Sequence, residues 1–353
     1  MVPSAPDREA ARTLVLRHGW NTTSYQILNP GFSHWFPASR DAVVGFVARR
    51  RTWVVGGAPV CSPDHLFAVT EAFEGAAARA GARVCYVGAQ DRLAQRCFPD
   101  PGYAGAILGA EPWWDPSGWE RLVAGHASLR AQFNRARNKG VRVEPLAAGA
   151  PAPADVRGIL AEWLATRGLP PLAFLTVPWL LDDLRDRRLL VATRDGQAVA
   201  FLVLTPIPAR GGWLVEQIVR GHRAPNGTAE LLVDAAFRGM AADGTQFVTL
   251  GLAPLVEVAA GHRPPIPWWL RGGLGWLRAH GRRFYNFDGL HAFKAKLRPA
   301  GWQPVYAIVN QRRLTLGTML GVSEAVVGGH LVTFGARLLS HALSSEARAI
   351  LRR

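Results

Sequence analysis

Two short stretches carry the residue types that chemistry needs. The first is FYNFDGLHAFKAKLRP, Phe284 to Pro299. Of the chain's 41 basic residues only three are lysine, Lys139, Lys294 and Lys296, and two of them stand here, two residues apart. In a chain that otherwise uses arginine, a lysine marks a place that favours a compact point charge over a planar fork. With Leu290 to Arg298 helical and Pro299 ending the run, Leu290, Phe293 and Leu297 share one apolar stripe. His291, Lys294 and Arg298 fall on the adjacent stripe, a cationic row suited to a phosphate or a developing oxyanion at a cleft edge. Lys296 points the other way, toward solvent or a large anionic partner. Tyr285 and Asn286 precede the helix, and Asp288 is placed to cap it.

The second stretch is VEQIVRGHRAPNGTAELL, Val215 to Leu232. It reads as a strand, a turn at Asn226-Gly227, and a helix. Gly227-Thr228-Ala229 is small enough for backbone amides to approach a phosphate or carbonyl, and a helix N-terminus is itself an anion site. Arg220 and Arg223 flank the turn. Glu216 sits in the strand with Ile218 on its face and Val215, Gln217 and Val219 on the other. A carboxylate beside arginines in a cleft acts as a general base or binds a substrate amine; on a plain strand surface it would only pair with Arg220.

The 353 residues suffice for two domains, and the net charge of +15 favours an anionic partner: nucleic acid, an anionic membrane surface or a phosphorylated ligand. Cys61, Cys85 and Cys97 form no CxxC pair and no zinc spacing, so reduced thiols, a cytoplasmic setting and no metal are expected. The chain carries no G-x-S-x-G, P-loop or HExxH signature. Its first twenty residues lack the basic start and apolar core of an export signal. Leu314 to Ala336 is apolar and flanked by arginines, but holds five glycines and Glu324. Three readings stay open for it: a membrane span, a surface or re-entrant element, and helices packed on the protein.

Elements that would position these groups alternate between strand and helix in two similar halves. In the first, AVVGFVAR and TWVVGG form an antiparallel pair, followed by a helix (Ser62 to Gly81), the strand RVCYVG, and a second helix, AQDRLAQRCF. In the second, a hairpin turning at Asp195-Gly196 leads to the strand GGWLVEQIVR, the helix NGTAELLVDAAFRGMAADG and the strand QFVTLGLA. Glu120 to Gly140 reads as one basic helix, and Gly149 to Val156 as an Ala/Pro linker. The expected division is 1–120, 121–155 as connecting helix and linker, 156–310, and a tail at 311–353. A hairpin, strand, glycine-containing loop, helix and strand is the order of an acetyltransferase-type (GNAT) core, so the fold class is α/β with two tandem GNAT-like domains, each a mixed central sheet flanked by helices.

From Gly19 to Tyr306 the chain resembles the cytoplasmic catalytic domain of bacterial lysylphosphatidylglycerol (aminoacyl-phosphatidylglycerol) synthases, enzymes linked to resistance against cationic peptides. The motifs that carry the likeness include SYQIL, GFVARRRTWVVGGAPVCSPD, LRAQFNRARNKGVRVE, EWLATRG, APNGTAELL, TLGLAPL and RFYNFDGLHAFKAKLRPAGWQPVY. The resemblance implies an aminoacyl transferase that takes its group from aminoacyl-tRNA and gives it to a hydroxyl of an anionic phospholipid, without coenzyme A or another cofactor. It places the family's strand acid on Glu216, its loop arginine near Arg220 and its paired lysines on Lys294 and Lys296. It implies a peripheral position at the inner face of the cell membrane, with Trp268, Trp269 and Trp276 as an apolar lip and the tail as a docking element. The chain departs from the pattern where the family has aspartate at Glu216, arginine at Val219, and aspartate at Ala58. Two other readings are an acyl-CoA-dependent GNAT enzyme and a non-catalytic tRNA- or membrane-binding protein.

Overall fold

Asp195 and Gly196 adopt φ of 52° and 77°, the left-handed pair that a tight hairpin turn demands. They join the strands Arg188–Arg194 and Gln197–Ile207, which pair antiparallel. The computed structural model describes residues 4–166, 174–175, 180–256, 264, 266–268, 271–272 and 287–329. Its strands are β1 (Ser33–Trp35), β2 (Val44–Arg49), β3 (Thr52–Gly56), β4 (Arg83–Ala89), β5 (Ala104–Trp114), β6 (Arg142–Pro145), β7 (Arg188–Arg194), β8 (Gln197–Ile207), β9 (Gly212–Arg220), β10 (Phe247–Thr249), β11 (Ala253–Pro254) and β12 (Gly301–Val309). The helices are α1 (Ala5–His18), α2 (Leu66–Arg79), α3 (Asp91–Cys97), α4 (Trp119–Gly125), α5 (Ala127–Arg137), α6 (Ala154–Thr166), α7 (Thr228–Ala242), α8 (Phe287–Lys296) and α9 (Leu316–Val326).

All the described strands belong to one 12-stranded sheet in the order β1-β2-β3-β4-β12-β5-β10-β9-β8-β7-β6, with β11 on β5. Each half repeats antiparallel strands followed by a strand–helix–parallel strand unit, β3-α2-β4 and β9-α7-β10. The fold is thus α/β, with two tandem GNAT-like units. The last strand, β12, leaves the second half and pairs along its length with β4 and β5 of the first. The two units therefore share one continuous sheet.

The parallel pairs of the two halves differ where it matters for function. β3 and β4 stay in register through five positions, Thr52–Gly56 against Arg83–Val87. β9 and β10 pair only over Gly212–Leu214, after which β9 runs on to Arg220 bonded to β8 alone. A gap therefore opens beside Val215–Arg220 in the second half. Trp114, Trp119, Phe133, Phe201, Phe237 and Tyr306 lie among the buried aromatic residues of the cores on either side.

One local expectation fails, and for the start of the tail the open reading that holds is a helix packed on the protein. The run 120–140 is two helices, broken at His126, whose ring nitrogen bonds the Leu122 carbonyl at 2.7 Å. A helix-ending glycine at 125 and a side chain competing for the backbone account for the break. The tail does not begin as a membrane span. Thr315 caps α9 through the Thr318 amide, and α9 packs on β2, β3 and β4. Glu324, 2% exposed in its side chain, pairs with Arg50 at 2.8 Å. No helix among the described residues is long and apolar enough to cross a membrane. Residues 330–336 of that stretch lie outside the described residues.

Candidate active site

The gap beside β9 is the floor of a cavity of about 530 Å³. Its walls come from both halves. β9 contributes Val215, Glu216, Ile218 and Arg220, α8 contributes Leu290, Phe293 and Lys294, and the segment after β10 adds Leu250, Gly251 and Leu252. From the first half come Thr22, Thr23 and Gln26, with Glu111 on β5. The strand acid and Lys294 therefore border one cleft.

Glu216 is held from behind. Its Oε2 accepts from the Thr205 hydroxyl and, at 3.3 Å, from Arg187 Nε, and the side chain is 8% exposed. Arg187 is itself fixed by donating to the Asp183 carbonyl at 2.9 Å and by lying 4.8 Å over the Tyr25 ring. Tyr25 donates to Asp186 at 2.8 Å, and Arg12 of α1 donates to the same carboxylate at 2.6 Å. This chain of contacts ties the N-terminal helix of one half to β9 of the other. It also sets the turn Tyr25–Leu28, which carries Gln26 into the cavity.

Three buried polar atoms around the cavity have no hydrogen-bond partner among the described residues: Glu216 Oε1, Gln26 Oε1 and Thr23 Oγ1. Buried polar groups are ordinarily satisfied, so three unmatched oxygens on residues lining one cavity mark it as a candidate binding site. All three accept, and a primary ammonium offers three donors.

Lys294 is buried at 4% exposure. Its Nζ donates to the carbonyls of Gly251 at 2.7 Å and Leu252 at 2.8 Å. Burial pushes its pKa down to about 7, against the pull of Glu111. Glu111, on the fully buried part of β5, accepts from Thr22 at 2.6 Å and from Gln90 Nε2 at 2.8 Å. Burial raises its carboxyl above the ordinary range, while the Thr22 bond and the charges of Lys294 and Arg210 oppose the rise. Glu111 is not among the residues that the sequence analysis names. The signal was present as the lone acid in the apolar run AILGAEPWW. Gln26 and Thr23 carry no such signal, since neutral polar residues in a loop are common.

The other sequence-derived residues are placed unequally. Arg220 lines the cavity and donates to the Ala224 carbonyl at 3.2 Å. Arg223 is exposed and bonds Gln197 at 2.9 Å, outside the cavity lining. Asn226 is exposed, and Gly227 takes φ 94° ahead of α7. A side-chain carbon at Gly227 would stand 2.3 Å from the Gln132 carbonyl of α5, so the glycine serves close packing of α5 on the turn. The Thr228 hydroxyl donates to the Pro225 carbonyl at 2.7 Å, leaving Ala229 as the residue of this turn that borders the cavity.

The cationic row on α8 does not form. The helix ends at Lys296, and Arg298 is exposed at φ 55°. His291 turns to the Trp302 ring, 5.2 Å between centroids. Lys296 points away from the cavity, as expected, and its half-exposed side chain pairs with Glu230 of α7, tying α8 to the helix behind the turn. Asp288 lies in the first turn of α8 instead of capping it. The Ala295 carbonyl accepts from the Arg298 amide at 3.0 Å in a tight final turn, which takes Arg298 off the helical stripe. Tyr285 and Asn286 lie outside the described residues, as do Trp269 and Trp276, whereas Trp268 is 83% exposed. Among the described residues no group of three or more His, Cys, Asp or Glu side chains is arranged to hold a metal.

A family model described as phosphatidylglycerol lysyltransferase, C-terminal, matches residues 12–309. Among solved structures, the chain is similar to the C-terminal domain of a protein described as a lysylphosphatidylglycerol synthetase from Agrobacterium fabrum. That likeness has 24% identity, a TM-score of 0.77, and coverage of 93% of this chain and 99% of that one. The L-PGS of Bacillus licheniformis gives 22% identity and a TM-score of 0.77 over 93% and 98% of the two chains. A conserved protein of unknown function from Bacteroides thetaiotaomicron follows at 14% identity and a TM-score of 0.58, covering 88% and 99%. These likenesses establish the fold. No curated protein matches the chain by sequence.

Proposed function

The chain belongs to the phosphatidylglycerol lysyltransferase C-terminal family, a family of transferases, and from that premise we propose that it moves an aminoacyl group from charged tRNA to a hydroxyl of an anionic lipid such as phosphatidylglycerol. The observation that carries this reading is the trio of unmatched buried oxygens around the cavity, on Glu216, Gln26 and Thr23. They form an acceptor set for the ammonium of an aminoacyl group. The negative charge of Glu216 lets this pole prefer an amine over a hydroxyl.

An aminoacyl ester is already activated, so the protein has to position the acceptor hydroxyl, receive its proton and steady the charge that develops on the carbonyl oxygen. Arg220, at the open end of β9, is the cation available to a phosphate entering the cleft. The Asn226-Gly227 turn supports Ala229 and the first turn of α7 beside it. The net charge of +15 suits a protein that meets both a nucleic acid and an anionic bilayer, and Trp268 offers an exposed ring to the interface of a membrane's cytoplasmic face.

An acyl-CoA-dependent reaction is disfavoured by Gly227. The turn that would cradle a pyrophosphate is backed directly by the α5 backbone, and its threonine hydroxyl is spent on Pro225. A purely tRNA- or membrane-binding role predicts that Glu216→Gln and Lys294→Ala leave activity in the cell intact. The deciding experiment incubates purified protein with labelled aminoacyl-tRNA pools and anionic liposomes. RNase-sensitive transfer of label to the lipid fraction is expected. Label that persists after the tRNA is digested beforehand overturns the tRNA donor, and no transfer from any pool overturns the reading.

A further inference from the structure

Lys294 has a contact pattern that an ammonium does not use fully. Two backbone carbonyls, of Gly251 and Leu252, receive its hydrogens at 2.7 and 2.8 Å, and no third acceptor bonds it among the described residues. A neutral amine has two N–H bonds and one lone pair, an ammonium three N–H bonds. The side chain is buried, yet it borders the cavity that Glu216 and Arg220 also border.

Resting on the transfer reaction above, we propose that Lys294 is the general base of the reaction, a neutral amine whose N–H bonds are tied to the two carbonyls and whose lone pair faces the acceptor hydroxyl. The carbonyls orient the nitrogen, and burial lowers its pKa to about 7, so the neutral amine is populated near neutral pH. The charged neighbours are consistent with this. Glu111 stands on β5, with Arg210 close enough to influence its charge. Glu216 and Arg220 lie on β9 across the same cavity. On α8 itself, Asp288 and His291 lie nearer its start, and Lys296 is neutralised by Glu230 of α7. Glu111 is the acid whose charge pulls on Lys294, and it steadies the ammonium that forms.

The step balances without a co-reactant. The lipid hydroxyl oxygen bonds to the ester carbonyl carbon as its proton passes to the Nζ lone pair. The bond from that carbon to the ribose oxygen then breaks, and the leaving oxygen takes the proton back from Nζ. The amine ends neutral, ready for another cycle. Glu216 is then left to its other role, holding the amine of the substrate.

With three lysines in the whole chain, the test is clean. Protein carrying 13C at lysine Cε shows three side-chain signals, and the one absent from Lys294→Met is that of Lys294. The expected result is a transition of this signal near pH 7, with kcat rising through the same midpoint. Lys294→Arg, which keeps a cation but has no usable lone pair, is expected to lose at least about 100-fold in kcat with donor KM little changed, the scale of a general base. A Lys294 signal that stays at its ammonium position up to pH 9 overturns the proposal. So does a Lys294→Arg enzyme that keeps kcat within threefold, which a mere oxyanion holder would allow. The titration needs no substrate, so a wild-type chain that transfers nothing registers as failure of the function reading alone.

Discussion

Replacing Glu216 by glutamine tests the amine-binding pole with the smallest change of shape. The wild-type carboxylate spends Oε2 on Thr205 and Arg187 and leaves Oε1 without a hydrogen-bond partner among the described residues. A charge-assisted hydrogen bond contributes about 1.5–3 kcal/mol, and 1.4 kcal/mol is tenfold in affinity. The variant is therefore expected to raise the donor KM by roughly 10- to 150-fold. A second consequence falls on stability. Arg187, 4% exposed in its side chain, loses its nearest counter-charge. Stripping one member of a buried ion pair costs about 3–5 kcal/mol, but the amide oxygen still accepts from Thr205 and Arg187, so about 1–3 kcal/mol is expected. The assay compares aminoacyl-tRNA with its deaminated hydroxyacyl counterpart as donors to lipid vesicles, alongside urea unfolding. Wild type should favour the amine, and Glu216→Gln should level the two. A folded variant that keeps its donor KM within threefold and its preference for the amine refutes the assignment of this pole.

Gly227→Ala meets both a left-handed φ of 94° and the Gln132 carbonyl at 2.3 Å, so a loss of about 2–4 kcal/mol in urea unfolding is expected. Asp234 is buried and accepts from Trp119, Arg137 and Arg238; Asp234→Ala should cost about 3–5 kcal/mol and separate α4 and α5 from α7, read by thermal melting and hydrogen exchange. Lys294 titrates near 7 when folded against 10.5 when free, so the unfolded chain holds the extra proton between those values and stability rises with pH across that window. A series of urea midpoints from pH 6 to 10 should show wild type gaining a few kcal/mol that Lys294→Met does not gain. Trp268→Ala should weaken binding to anionic vesicles in a flotation assay while leaving the melting temperature unchanged, because the ring is 83% exposed.

Local signals were sufficient for much of the architecture. Asp195-Gly196 could hardly be anything but a tight turn, and the stretch read as a helix, NGTAELLVDAAFRGMAADG, forms one over Thr228–Ala242. Glu216 stands out as a charge in a mostly apolar strand, Arg220 by flanking the turn, and Lys294 as one of three lysines among 41 basic residues. What the sequence could not display was the company these residues keep. The helical wheel put His291, Lys294 and Arg298 in one row, yet a tight final turn and the Trp302 ring separate them. Gln26, Thr23 and Glu111 are distant in the chain from Glu216 and Lys294, and they meet because β12 crosses into the first half's sheet and β9 parts from β10 after three positions. Sequence by itself determined where several strands and helices form, though not all their ends, and which residues are chemically expensive. The tertiary structure alone decided which of them share a water-poor space, because burial, pKa and unmet hydrogen bonds belong to contacts between segments and to no segment alone.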